Sequence, residues 1–155
     1  MRWIIAIGFY VSSVALLAQQ IAEVREQFHT INNEERLMAF IKLTTEVNDS
    51  KATPYIEAAN MQMARYTANP IKKLKYFNEG KKQLELYIDK NPFDIEARYV
   101  RALVQSEVPD FLNYNEQFDS DISYILDNID SSLLPPEYKN TIKETINQLV
   151  KKQQL

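Results

Sequence analysis

The side chains in this chain that could do acid–base chemistry are carboxylates. Glu96 with Asp119 or Asp121 is the one constellation that could act without a motif. Two carboxylates in one cleft divide the roles of general acid and general base when the pKa of one is raised. That pair defines a hydrolase or lyase reading of the chain. Other chemistry lacks its residues. His29 is the single histidine, and no second imidazole exists to share a metal with it. It reads as a structural histidine beside Phe28. The chain has no cysteine, so thiolate catalysis, cysteine-ligated metals and disulfides are excluded. No nucleophile elbow, phosphate loop or H-E-x-x-H sequence occurs. Asp119-Ser120-Asp121 lies inside a helical pattern and does not form a calcium loop. The residues point to a non-enzyme without metal or cofactor.

The elements that would position Glu96 and Asp119 centre on Asn91–Gln105, NPFDIEARYVRALVQ. Pro92 lacks an amide hydrogen and cannot continue a helix arriving from its N-terminal side. Asp94 and Glu96 fall in the first turn of the next helix, where the dipole favours negative charge. At about 100° per residue, Ile95, Tyr99, Val100, Ala102 and Leu103 share one face. Asp94, Arg98, Arg101 and Gln105 share the other. Glu96 projects within the apolar sector. It is either a dipole complement near solvent or a groove wall with a basic partner.

Asn91-Pro92 followed by Ile95-Glu96-Ala97-Arg98-Tyr99 resembles the junction between tetratricopeptide repeats. Tyr99 and Ala102 match the aromatic and small positions of a first repeat helix. Gly80 and Leu84 match the small and large positions of the preceding second helix. The resemblance spans about one repeat, Pro54–Gln105. Arg98, Arg101 and Gln105 stand where that family has large apolar residues, and Tyr87 where it has a small one. The resemblance implies stacked helical hairpins and a groove lined by Glu96, Tyr99 and Leu103, with Phe93 at one rim. The alternative for these side chains is ordinary packing against the next helix. The two arginines at usually apolar positions motivate an ion pair of Arg98 or Arg101 with Asp119.

Apolar spacing predicts seven helices. The first two are Gln20–Thr30 and Asn33–Val47, with Asn32 and Glu35 resembling a capping pair. A third, Thr53–Thr67, carries Ile56, Ala59, Met63 and Tyr66 on one face. A fourth, Pro70–Lys90, buries Leu74, Phe77, Leu84 and Ile88. Gly80 in its middle costs about 1 kcal/mol relative to Ala, which argues for close approach of a neighbouring helix. The lysines at 72, 73, 75, 81 and 82 read as a solvated face or a patch for acidic partners. The central helix is the fifth. Phe111, Tyr114, Phe118, Ile122, Ile125 and Ile129 predict a sixth over Pro109–Asp130. The seventh, Pro136–Lys152, has the single stripe Tyr138, Ile142, Ile146 and Leu149 that a capping helix needs. Short connections favour antiparallel pairs one–two, three–four and five–six. The predicted fold is all-α, with stacked antiparallel helix pairs; a compact bundle is the alternative.

Of 155 residues, 18 are Lys or Arg and 21 are Asp or Glu, a net charge of -3. With no polybasic run, general nucleic-acid binding is not expected. Met1–Ala18 reads as a cleaved secretory signal peptide: Arg2, the uncharged apolar run Trp3–Leu17, then small Ala18. That run is shorter than a usual membrane span, though an uncleaved anchor is the alternative. Residues 19–155 would form one periplasmic or secreted domain. The expected role is an interaction module for a protein or peptide. A carrier of a small apolar ligand, held between Met61, Met63, Tyr66 and Phe77, is the other binding class.

Overall fold

Short polar side chains cap three of the helix starts in this chain. Asn33 stands in extended conformation and its side chain accepts from the Arg36 amide at 2.9 Å. Asn69 Oδ1 accepts from the Ile71 and Lys72 amides at 2.9 and 3.2 Å. Asp94 Oδ1 accepts from the Glu96 and Ala97 amides at 2.9 and 3.1 Å. Each satisfies donors that a helix leaves open at its first turn.

A computed structural model describes the backbone of residues 2–153 and the side chains of residues 16–152. Among the described residues seven α-helices follow one another: α1 Arg2–His29, α2 Glu34–Thr44, α3 Thr53–Gln62, α4 Pro70–Lys90, α5 Ile95–Glu107, α6 Phe118–Asn128 and α7 Pro136–Gln153. No strand occurs among the described residues. The fold is all-α, and its packing is consistent with stacked helices. The side chains on which the signal-peptide expectation for Met1–Ala18 rests lie largely outside the described residues. Among the described residues, no helix is long and apolar enough to cross a membrane.

The sequence reading treats 19–155 as one domain. The chain groups into two compact units, Met1–Gln83 and Leu84–Leu155, with the boundary inside α4. In the first unit α1, α2 and α3 pack on one another. Phe28 is their meeting point, edge-on to Phe40 and Tyr55 with centroids 5.8 and 5.2 Å away. Leu37, Val24, Ala58 and Ala59 complete this core. α3 ends at Gln62, not Thr67, and tightens into a 3₁₀ turn over Met63–Arg65. Its buried face is Tyr55, Ala58, Ala59 and Met61; Ile56 and Met63 are half-buried and Tyr66 is exposed.

Gly80 explains how α4 meets α3. A Cβ there would stand 2.5 Å from Met61 Cγ and 2.7 Å from the Glu57 carbonyl oxygen. The close helix approach expected from the mid-helix glycine is present. Leu74, expected on the buried side, is exposed instead. It precedes the contact at Gly80 by more than a turn of helix, where α4 has little to pack against.

In the second unit α5 packs on α6 and α7. Tyr99, Val100 and Ala102 of α5 are buried, as are Phe118, Ile122 and Ile125 of α6, and Ile142 and Ile146 of α7. The expected helix over Pro109–Asp130 is interrupted. A 3₁₀ turn at Asp110–Leu112 ends on Asn113, whose backbone is left-handed at φ 46°. Asparagine tolerates that conformation better than most residues. α6 then begins only at Phe118, and Phe111 is left in solvent.

Candidate functional site

The residues able to do chemistry in the second unit converge on one carboxylate. Asp121 is fully buried on α6. Arg101 of α5 grips it with two bonds, Nε to Oδ2 at 2.7 Å and Nη2 to Oδ1 at 2.8 Å. Arg98, one turn earlier, donates from Nη1 to Oδ1 at 2.7 Å. The remaining edge of Arg101 reaches Glu85 of α4, Nη1 to Oε2 at 2.6 Å. The Tyr114 hydroxyl donates to the other Glu85 oxygen. Arg98 also donates from Nε to the Pro92 carbonyl at 2.9 Å and lies over the Tyr124 ring, 4.3 Å from its centroid. Beside this cluster, Tyr87 donates to Asp94 Oδ2 at 2.8 Å.

The electrostatics follow from this closure. Burial alone would lower the pKa of Arg101, but the hydrogen bonds and charges of Asp121 and Glu85 reverse that and hold its proton more tightly than usual. Burial, with Glu85 next to it, pushes the Tyr114 phenol well above its ordinary range. Asp121 has its two oxygens engaged by three donors. A carboxylate held this way is a poor proton shuttle and a good clasp.

The sequence-predicted site residues are placed as follows. Arg98 and Arg101 both enter an ion pair, but with Asp121; Asp119 is exposed. The reason is phase. On α6, Asp121 lies between Phe118 and Ile125 on the buried stripe, while Asp119 turns outward. Asp121 was legible as the acidic member of the stripe itself. Glu85 and Tyr114 had no such signal, because their meeting depends on the interruption at Asn113. Glu96 does not sit near solvent as a dipole complement: it is buried, as is Tyr99. Leu103 is half-buried and Phe93 is exposed. The four therefore do not line one open groove. Burial pushes the Tyr99 phenol up to about 12, with a hydrogen bond to Thr145 acting against it. The carboxylate constellation of Glu96 with Asp119 or Asp121 does not present two free acids, since Asp121 is already bound by both arginines. Of the four residues of the carrier reading, Met61 and Phe77 are buried, Met63 is half-buried and Tyr66 is exposed.

No family model, curated protein or solved structure matches this chain. The geometry of the site is what bears on function.

The turn between α4 and α5 is the most distinctive surface feature near the cluster. Phe93 is 80% exposed at its tip. The backbone beneath it is tied down at three points. The Asp94 amide donates to the Asn91 carbonyl at 3.0 Å. Arg98 holds the Pro92 carbonyl, and the Tyr124 hydroxyl reaches the Phe93 carbonyl at 3.5 Å. Sequence reading placed Phe93 at the rim of a groove; here it stands on a turn anchored by the buried clasp. Among the described residues no group of three or more His, Cys, Asp or Glu side chains could hold a metal ion.

Proposed function

We propose that this chain is an exported, non-catalytic binding module that presents Phe93 to a protein or peptide partner. The observation that carries the reading is an aromatic side chain left 80% exposed on a turn whose backbone is fixed by the Arg98–Asp121 clasp. Aromatic residues dominate binding energy when they enter a partner's pocket. Holding one rigidly beforehand reduces the ordering cost of association. The resemblance of Pro54–Gln105 to a tetratricopeptide repeat supports a role in recognition, and the N-terminal sequence Met1–Ala18 supports export. The groove of the sequence reading is replaced by this turn, because Glu96 and Tyr99 are interior.

The test places a photocrosslinking amino acid at position 93, and separately at exposed Leu133, in the full chain in cells. One partner captured from position 93 and not from 133 is the expected result. Phe93→Ala is expected to weaken binding of that partner by about 30-fold, the effect of losing roughly 2 kcal/mol at a binding hot spot. Its circular dichroism should match the wild type, since the side chain contributes little to the core. Equal capture from both positions, or affinity indifferent to Phe93→Ala, would sink the reading.

A further inference from the structure

The first turns of α4, in the first unit, carry a surface that the Phe93 reading does not use. Ile71 is 77% exposed and Leu74 49% exposed, one turn apart on the same helix. Lys72, Lys73 and Lys75 are interspersed with them along the chain and are also exposed. Lys75 approaches Glu79 at 3.9 Å, a contact with both side chains largely in water that contributes little. No acidic residue occurs between Glu57 and Glu79, although the chain as a whole is acidic. The buried side of α4 is elsewhere on the wheel, at Phe77, Gly80 and Leu84.

We infer that this end of α4 docks on an anionic lipid bilayer surface. Two needs are met at once there. Isoleucine and leucine gain by leaving water for the boundary of headgroups and acyl chains. Lysines lie along such a surface with their stems buried and their ammonium groups among the anionic headgroups. A nucleic acid would satisfy the lysines but leave Ile71 and Leu74 without an apolar partner. Lysine suits a diffuse field of lipid charge, whereas arginine is favoured for bidentate anion recognition.

The chain has no cysteine, so one reporter can be placed without background. Ile71→Cys carries an environment-sensitive fluorophore in the full chain, and Leu133→Cys carries it as a control on the second unit. Each is mixed with vesicles of phosphatidylglycerol and phosphatidylcholine, and with vesicles of phosphatidylcholine alone. The local probe reads position 71 whatever the segment before residue 19 does. The expected result is a blue shift at position 71 with anionic vesicles only, lost at about 1 M salt, where the screening length is about 3 Å. Lys72→Gln, Lys73→Gln and Lys75→Gln together should weaken that response on the order of 100-fold in lipid concentration. The inference is overturned by no shift, by an equal shift with neutral vesicles, by an equal shift at position 133, or by indifference to the three substitutions. A shift with polyglutamate or an oligonucleotide in place of anionic vesicles would assign the surface to that polymer instead.

Discussion

Asp121 is a single carboxylate on which three helices depend. Arg98 donates one hydrogen bond to it and Arg101 two, and Glu85 accepts from the remaining edge of Arg101. Removing one partner of a buried ion pair leaves the other charges in a medium that solvates them poorly. Asp121→Ala is therefore expected to destabilise the protein by about 3–5 kcal/mol, read by urea unfolding. Asp119→Ala, two residues away and exposed, should stay within about 0.5 kcal/mol of wild type. Equal effects from the two would mean that the clasp is not where the stability lies. Tyr99 gives a second test at this scale. Burial holds its folded pKa at about 12, above the ordinary phenol value of 10.0. Between those values the unfolded chain loses the phenolic proton while the folded chain keeps it. The unfolded state binds fewer protons there, so stability falls as pH rises through that window. The slope for this group is at most about 1.4 kcal/mol per pH unit. Tyr99→Phe should flatten the fall, measured by urea midpoints from pH 9 to 12. Tyr114, also raised, would keep a remainder.

At the scale of elements, α4 and α6 are shaped by single residues. α4 can approach α3 only because position 80 has no side chain. Substituting alanine would gain about 1 kcal/mol of helix propensity. It would also drive a methyl group to 2.7 Å from the Glu57 carbonyl oxygen, which as backbone cannot move aside cheaply. Overpacking of this kind costs about 1–3 kcal/mol. Gly80→Ala is expected to lower the thermal midpoint, despite propensity, and a raised midpoint would mean that α3 yields easily. In α6 the left-handed Asn113 ends what the apolar spacing alone would continue from Pro109. That interruption puts Phe111 in water and allows the Tyr114 hydroxyl to meet Glu85.

At the scale of the molecule, each of the two units has its own buried residues. The first is organised around Phe28, Phe40 and Tyr55; the second around α5 and the Asp121 cluster. Hydrogen exchange of Asp121→Ala should therefore quicken over residues 84–153 more than over 16–83. A uniform loss of protection along the chain would show one cooperative unit in place of two.

Helix number and most helix starts were legible in the sequence, because they follow from local chemistry. Pro70 and Pro136 open helices at the expected positions, and Asn69 and Asp94 have side chains that cap the next turn. The stripes of α6 and α7 follow a spacing that any amphipathic helix obeys. Gly80 signalled a close neighbour by its cost alone. The choice of Asp121 over Asp119 was open to the sequence, because the spacing of Phe118, Ile122 and Ile125 already sets the phase of both. The burial of Glu96 was left open between two readings, and the exposure of Leu74 escaped the sequence. Burial depends on which other helix covers a face, and that is a property of the tertiary structure. Glu85 and Tyr114 join the cluster across 29 residues of chain. No local rule brings such distant side chains together; only the packing of α4, α5 and α6 does.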